Sequence, residues 1–265
     1  MATLSIVLVL VSALALGVSG GAALLPFRDT TRCERASSGL AAGAAGAGIL
    51  GTLAGIGAAS RPAFAFDWSL PIGRFAVEID AISAVFLLPV FLVCGVGSVY
   101  GLRYWPASEH PTTWAKLRVF YGLLAGSMAV VVISRDAILF LMAWEVMALS
   151  AFFLVTTDDD AAEACRAGWI YLVATHVATL CLMAMFALMR SAGGSWALYP
   201  LPVSGGATGW IFLLGLVGFG IKAGIMPLHV WLPSAHANAP SHVSAVMSGV
   251  MIKMGIYGIV RVSGL

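Results

Sequence analysis

Charge is what this sequence has least of. Only 10% of its 265 residues are Asp, Glu, Lys or Arg, against about 25% in a soluble domain. That scarcity excludes an ordinary water-soluble fold and points to a polytopic membrane protein. The net charge of +2 carries no argument for nucleic acid, because most charges fall in loops between apolar runs. Cysteine is also sparse. Cys33, Cys94, Cys165 and Cys181 show neither CxxC nor metal-like spacing, so neither a disulfide framework nor an iron–sulfur site is expected. Cys94 and Cys181 lie inside apolar runs, where cysteine is usually a small buried hydrophobe. A glycine-rich phosphate loop following a strand is missing too, and with it the signature of a nucleotide site. The acidic patch Asp158-Asp159-Asp160, with Glu163, lacks the alternating ligands and the glycine of a calcium loop. It reads as a solvated loop, and no cofactor or metal is expected on this chain.

Long apolar runs, by contrast, are abundant. At about 20 residues per bilayer crossing, the expectation is an all-α polytopic membrane protein with about eight transmembrane helices, the seventh of them broken. The spans are read as Leu4–Leu25, Ala36–Ala59, Ala81–Leu102, Val119–Ser134, Ala137–Thr156, Ala167–Met189, Gly209–Ala235 and Val243–Ser263. The first has no positive leader region and has the length of a retained helix. The second is mostly Ala and Gly, with Gly39–Gly43 and Gly51–Gly55 at the spacing that lets helices approach closely, so it is expected to pack inside the bundle. Between spans two and three, Ser60–Ile79 reads as an extended or hairpin segment on the membrane surface. Counting arginines and lysines in loops, Arg28, Arg32, Arg35, Arg103, Lys116, Arg118 and Arg166 outnumber Arg61, Arg74, Arg135, Arg190 and Arg261. That bias puts the N-terminus outside.

A few costly residues stand inside these spans. A charged side chain at mid-bilayer costs roughly 2.5–3.5 kcal/mol on insertion scales, and such residues mark ion paths or buried pairs. Glu145 lies near the middle of span five with no counter-charge within a helical turn, so its partner must come from another helix. It is either a structural carboxylate or part of an ion path. Lys222 ends a glycine-rich run, GFGIKAGIMP, in which Pro227 removes a donor and is expected to break the helix. Freed backbone groups are tolerated only against protein or water, so this lysine sits beside water, unless it snorkels from a helix end. Lys253 is about ten residues from either end of span eight, too deep to snorkel comfortably. His176, inside span six, is either a proton relay or an interhelical hydrogen-bonder. His229, His236 and His242 fall in the broken hairpin, where they either line an aqueous entrance or cap helix ends. They are not spaced as a zinc site.

A carboxylate about 6 Å from a lysine, at an effective dielectric near 20, interacts by roughly 2.8 kcal/mol, and doubling the distance halves this. Small helix displacements therefore change proton occupancy, and Glu145, Lys222 and Lys253 are read as the proton path.

At these residues a resemblance becomes specific. FLMAWEVMALSAFFLV, followed by GFGIKAGIMPLHVWLPSAHANAPSHVSAVMSGVMIKMGIYG, resembles the antiporter-like membrane subunits of respiratory complex I, of multi-subunit cation/proton antiporters and of group 4 hydrogenases. The wording is closest to the large membrane subunit of the hydrogenases. The resemblance implies that Glu145 pairs with Lys222 on the broken helix, that Lys253 continues the path, and that His176 stands near a polar position on helix six. It implies three N-terminal helices over residues 1–115, then a five-helix half-channel over 116–265. Relatives continue through a second, inverted unit, so a fragment, or a half supplied by another chain, is expected. Implied partners are other membrane subunits and a peripheral hydrogenase or dehydrogenase arm that holds the redox chemistry, in a bacterial plasma membrane. A sodium/proton antiporter subunit and a passive membrane anchor for a soluble enzyme are the competing readings.

Overall fold

The computed structural model describes residues 2–24, 29–199 and 207–264. In chain order the helices are α1 (Ala2–Ser19, continued by a 3-10 turn, Gly20–Leu24), α2 (Thr30–Ile56), α3 (Ala81–Tyr104), α4 (Trp114–Ile133), α5 (Ala137–Val155), α6 (Ala162–Gly193), α7 (Ala207–Ala223), α8 (Leu232–Asn238) and α9 (Ser241–Ser263). Among the described residues, seven of these helices are long and apolar enough to cross a membrane, and α7 is a shorter apolar helix. Together they match the expected all-α polytopic architecture. Leu25, the end of the first expected span, lies outside the described residues.

The link expected on the membrane surface is a hairpin. Strands β1 (Ala63–Phe66) and β2 (Phe75–Glu78) pair antiparallel with Ala63 opposite Glu78. The hairpin is sewn to the turn between α4 and α5: the Arg135 amide donates to the Ala76 carbonyl at 2.8 Å, and Arg135's own carbonyl accepts from the Leu198 amide at 2.8 Å. Asp136 then caps α5 by accepting from the amides of Ile138 and Leu139. Asp80 caps α3 in the same way, accepting from the Ser83 amide at 2.8 Å. These caps satisfy orphan donors of the first turn and fix where two spans begin.

Several boundaries differ from expectation, and α2 begins at Thr30, not Ala36. Helix α4 begins at Trp114, not Val119, and α6 runs from Ala162 to Gly193. Arg118 therefore lies inside α4 and is only 4% exposed, so it is no loop charge; Arg135 is buried as well, at 2%. Both count as loop cations in the sequence reading of orientation. Helix α2 packs less deeply than its composition implies. Gly51 and Gly55 meet α1, with the Ser5 hydroxyl donating to the Gly51 carbonyl at 2.7 Å, while Gly39 and Gly43 face open space.

The break after α7 is built by glycine before proline takes part. Gly224 adopts φ +67°, its amide donates to the Ile221 carbonyl at 3.2 Å, and the Ile225 amide reaches back to the Gly220 carbonyl at 3.0 Å. This pair of bonds is a Schellman stop. The Trp231 indole adds a donor to the same Ile221 carbonyl at 2.8 Å. Helix α7 thus ends four residues before Pro227, and Lys222 sits in its last turn. Helix α9 packs tightly on α7 through Gly255, where a Cβ would lie 2.5 Å from the backbone of Ala223 and Phe219.

Candidate functional site: a buried lysine and an outward carboxylate

Lys222 is completely buried. Helix α7 delivers its ammonium between α5 and α6, 5.7 Å from the centre of the Trp144 ring and 5.2 Å from that of Tyr171. The nitrogen donates to the Tyr171 hydroxyl at 2.9 Å. No described carboxylate approaches it within 4.0 Å. Its surroundings are therefore two aromatic faces and one neutral hydroxyl, which attract a cation without neutralising it. Tyr171 in turn packs edge-on against Trp231, ring centres 5.1 Å apart, so the indole that bonds the end of α7 also holds the lysine's partner.

Glu145 stands one residue beyond Trp144 on α5, with its side chain 32% exposed. Its charge acts on both Lys222 and Tyr171. The carboxylate is divided. Oε1 is buried and has no hydrogen-bond partner among the described residues, while Oε2 lies 4.0 Å from Nε2 of His176. His176 is half exposed on α6, and its Nδ1 contacts the Leu172 carbonyl at 2.9 Å. The polar groups thus run from the outer surface of the α5–α6 pair, through His176 and Glu145, to Tyr171 and the enclosed Lys222.

The remaining candidates stand elsewhere. Lys253 is exposed on α9 and donates to the Ser248 carbonyl, which belongs to a π turn, Met247–Met251. The opposite side of α9, with Gly255 and Gly258, is the one that packs on α7. Lys253 therefore points away from Lys222. His229, in the segment following α7, is half buried with Nδ1 unpartnered among the described residues. His236 on α8 pairs with the Ser244 hydroxyl at 2.8 Å, and His242 is buried near the start of α9. Pro227 is exposed in the turn between α7 and α8.

Sequence reasoning missed Tyr171, Trp144 and Trp231. Each is an aromatic residue in an apolar run, indistinguishable there from core or interface. The one available signal was adjacency, since Trp144 directly precedes Glu145.

Residues 134–265, which contain the site, match the family model described as NADH:quinone oxidoreductase/Mrp antiporter, TM. The chain is 38% identical over 190 residues to hydrogenase-4 component B of Escherichia coli (strain K12), covering 71% of this chain and 28% of that protein. It is 30% identical over 239 residues to formate hydrogenlyase subunit 3 of the same organism, covering 87% and 37%. The chain thus spans well under half the length of these relatives. In the solved Mrp complex from Dietzia sp. DQ12-45-1b, a chain superimposes with TM-score 0.82 at 23% identity, over 98% of this chain and 28% of that one; this likeness speaks for the fold alone. By the family match and these relatives, the chain belongs to the antiporter-like membrane subunits of the NADH:quinone oxidoreductase/Mrp antiporter family.

Proposed function

We propose that the chain is the N-terminal part of a proton-translocating membrane subunit of a respiratory or hydrogenase-type complex. In this reading residues 116–265 form a half-channel, residues 1–115 brace it, and redox chemistry resides on a peripheral arm in a bacterial plasma membrane. The observation that carries the proposal is Lys222: a fully buried amine held by one tyrosine hydroxyl, under the charge of a carboxylate that does not contact it. A structural lysine would be expected to end on a carboxylate, because an unpaired buried charge is costly. A lysine held by neutral groups can take up or release a proton as Glu145 approaches or recedes, since their interaction scales inversely with distance. Glu145 and His176 form the outward end of the path, Lys253 its continuation on α9, and His229, His236 and His242 its aqueous side. A passive anchor gains nothing from such a lysine.

The test replaces Lys222 by Met in the full-length subunit within its complex and follows acid uptake by inverted vesicles during turnover. Uptake should fall at least about tenfold, the lower end of what a positioned proton carrier contributes being higher still. Uptake at the wild-type rate in an assembled complex overturns the proposal. The Mrp likeness keeps a sodium/proton antiporter in view, and a sodium requirement for uptake would select it.

A further inference from the structure

On the membrane face opposite the hairpin, where α4 and α6 begin and α5 ends, an open trough of about 410 Å³ runs between the three helices. Each helix lines it with two residues four apart: Lys116 and Phe120 on α4, Phe152 and Thr156 at the end of α5, Cys165 and Trp169 on α6. Residues at that spacing share a helix face and lie about 6 Å apart along the axis. In all three pairs the aromatic residue is the deeper one and its partner stands nearer the membrane surface. With Phe153 the deeper layer is a continuous chain of rings. Phe120 stacks on Phe153 with centres 4.2 Å apart, Phe153 meets Phe152 at 5.2 Å, and Phe152 meets Trp169 at 6.1 Å. Trp169 is 62% exposed, so this floor is open to whatever lies alongside the spans. The rim is charged in a fixed order. Lys116 donates to the Thr156 carbonyl at 2.6 Å and to the Asp159 carboxylate at 2.8 Å, and the Cys165 thiol ties the Asp159 carbonyl to α6 at 3.3 Å. An ammonium carries three hydrogens, and the third on Lys116 has no partner among the described residues. The lysine side chain is 23% exposed and that of Asp159 59%, so the cation stands inside and the anion outside. Asp158, Asp160 and Glu163 are exposed beside Asp159, with Arg166.

A polar rim over an aromatic floor calls for an amphiphile, and the order of charge says which one. From outside inward the protein presents carboxylate, ammonium and rings, so the complement carries a cation, then an anion, then an apolar chain. We propose that the trough binds a zwitterionic phospholipid with a primary-amine headgroup, phosphatidylethanolamine. Its phosphate takes the remaining hydrogen of Lys116, its ammonium donates to Asp159, and one acyl chain lies along the rings from Phe120 to Trp169. Both polar contacts are hydrogen bonds between ions, the stronger kind. A trimethylated amine has no hydrogen to donate to Asp159. A headgroup with no cation leaves Asp159 unanswered and sets its phosphate beside the carboxylates of Asp158, Asp160 and Glu163. A plain interfacial belt of aromatic residues, by contrast, is indifferent to headgroup. The site stands apart from Glu145 and Lys222, so its failure would leave the proposed function untouched.

The experiment uses the full-length subunit in its complex, reconstituted into vesicles. The probe is a phospholipid with a diazirine in one acyl chain, offered at equal mole fraction with an ethanolamine, a choline or a glycerol headgroup. After illumination, adducts are mapped by mass spectrometry, with labelling of the rest of the chain as reference. In the wild type the ethanolamine lipid should label Phe152, Phe153 and Trp169 about fivefold more than either other lipid, the upper end for an ion pair at an exposed carboxylate. Asp159→Asn should bring the ethanolamine and choline lipids level, and Lys116→Met should lower both together. If Lys116→Met fails to assemble, the wild-type ratio and Asp159→Asn, at an exposed loop position, still decide. Equal labelling by the three headgroups in the wild type overturns the proposal in favour of ordinary bilayer contact. Preference for choline or glycerol overturns it too, as does an ethanolamine preference that Asp159→Asn leaves unchanged. Absence of labelling by all three shows the trough covered by protein in the complex and overturns it as well.

Discussion

Two clusters of buried charge in this chain are built on opposite plans. At the hairpin face, Asp80 meets Arg135 at 3.2 Å and holds Arg261 through both carboxylate oxygens, while Ser83 takes a further bond from each arginine. Every ion there ends on an ion. This ties the start of α3, the α4–α5 turn and the end of α9 together. At the other cluster Lys222 ends on a tyrosine, and Glu145 has one oxygen without a hydrogen-bond partner among the described residues and the other 4.0 Å from a histidine. Tight pairing fixes protonation and position, whereas spacing through neutral groups leaves protonation adjustable. The difference is between ions that hold helices and ions that can exchange protons.

The comparison breaks if the two clusters respond alike to losing a charge. The largest effect is expected at the paired cluster. Asp80→Ala leaves two arginines, 2% and 10% exposed, without their anion, and breaking such a pair costs about 3–5 kcal/mol. Thermal unfolding of the purified complex in detergent should show this as a clear drop in transition temperature, while acid uptake per assembled complex is retained. Lys222→Met should do the reverse. It removes a buried charge that lacks a counter-ion, so the transition temperature should hold or rise, while uptake falls by roughly 10²-fold, the order of a positioned proton carrier. Equal losses of stability from both variants would erase the distinction.

Acid should expose the same contrast more gently. Burial alone would raise the Asp80 pKa, but hydrogen bonds from Arg261 and the Ser83 amide, with the charges of Arg135 and Arg261, hold it well below the usual carboxylate value. A folded-state pKa below the unfolded one of about 3.9 means that the contribution is complete above that unfolded value. It is lost only as pH falls through the folded one. The gap in transition temperature between wild type and Asp80→Asn should therefore stay constant from pH 7 to pH 5 and close only in stronger acid. A gap that closes near pH 6 would show that Asp80 is not held as the geometry implies.

Much of the architecture was readable because apolar length, caps and turn residues are local signals. The hairpin and the internal break both stood in the residues. What failed was pairing across the chain. Lys116 and Arg118 made the start of α4 look like a loop, since nothing near Arg118 reveals that Glu34, eighty-four residues earlier, neutralises it. Pro227 drew the break toward itself, although Gly224, the residue able to take a left-handed turn at no steric cost, ends the helix. Counting along the helix places Lys253 about ten residues from either end of its span. Distance along an axis says nothing about which side a residue faces, and the π turn at Met247–Met251 is invisible to periodicity. Glu145 and Lys222 were found because charge in apolar sequence is conspicuous. Their neutral companions were not, because an aromatic residue in such sequence is ordinary.

Those companions carry the smallest and sharpest test. Tyr171 supplies the one protein hydrogen bond described for the Lys222 ammonium, and its ring lies under the same charge. Tyr171→Phe keeps the ring, and with it the packing against Trp231, but removes the hydroxyl. A hydrogen bond to a charged group contributes about 1.5–3 kcal/mol, so the protonated lysine should become harder to hold while the neutral amine is little affected. Acid uptake should then fall severalfold at neutral pH and recover toward lower pH, where proton supply offsets the weaker site. Lys222→Met cannot recover in this way, because no amine is left to protonate. An uptake deficit in Tyr171→Phe that is the same at every pH would mean that the hydroxyl only positions the chain, and the neutral-partner account of Lys222 would have to be given up.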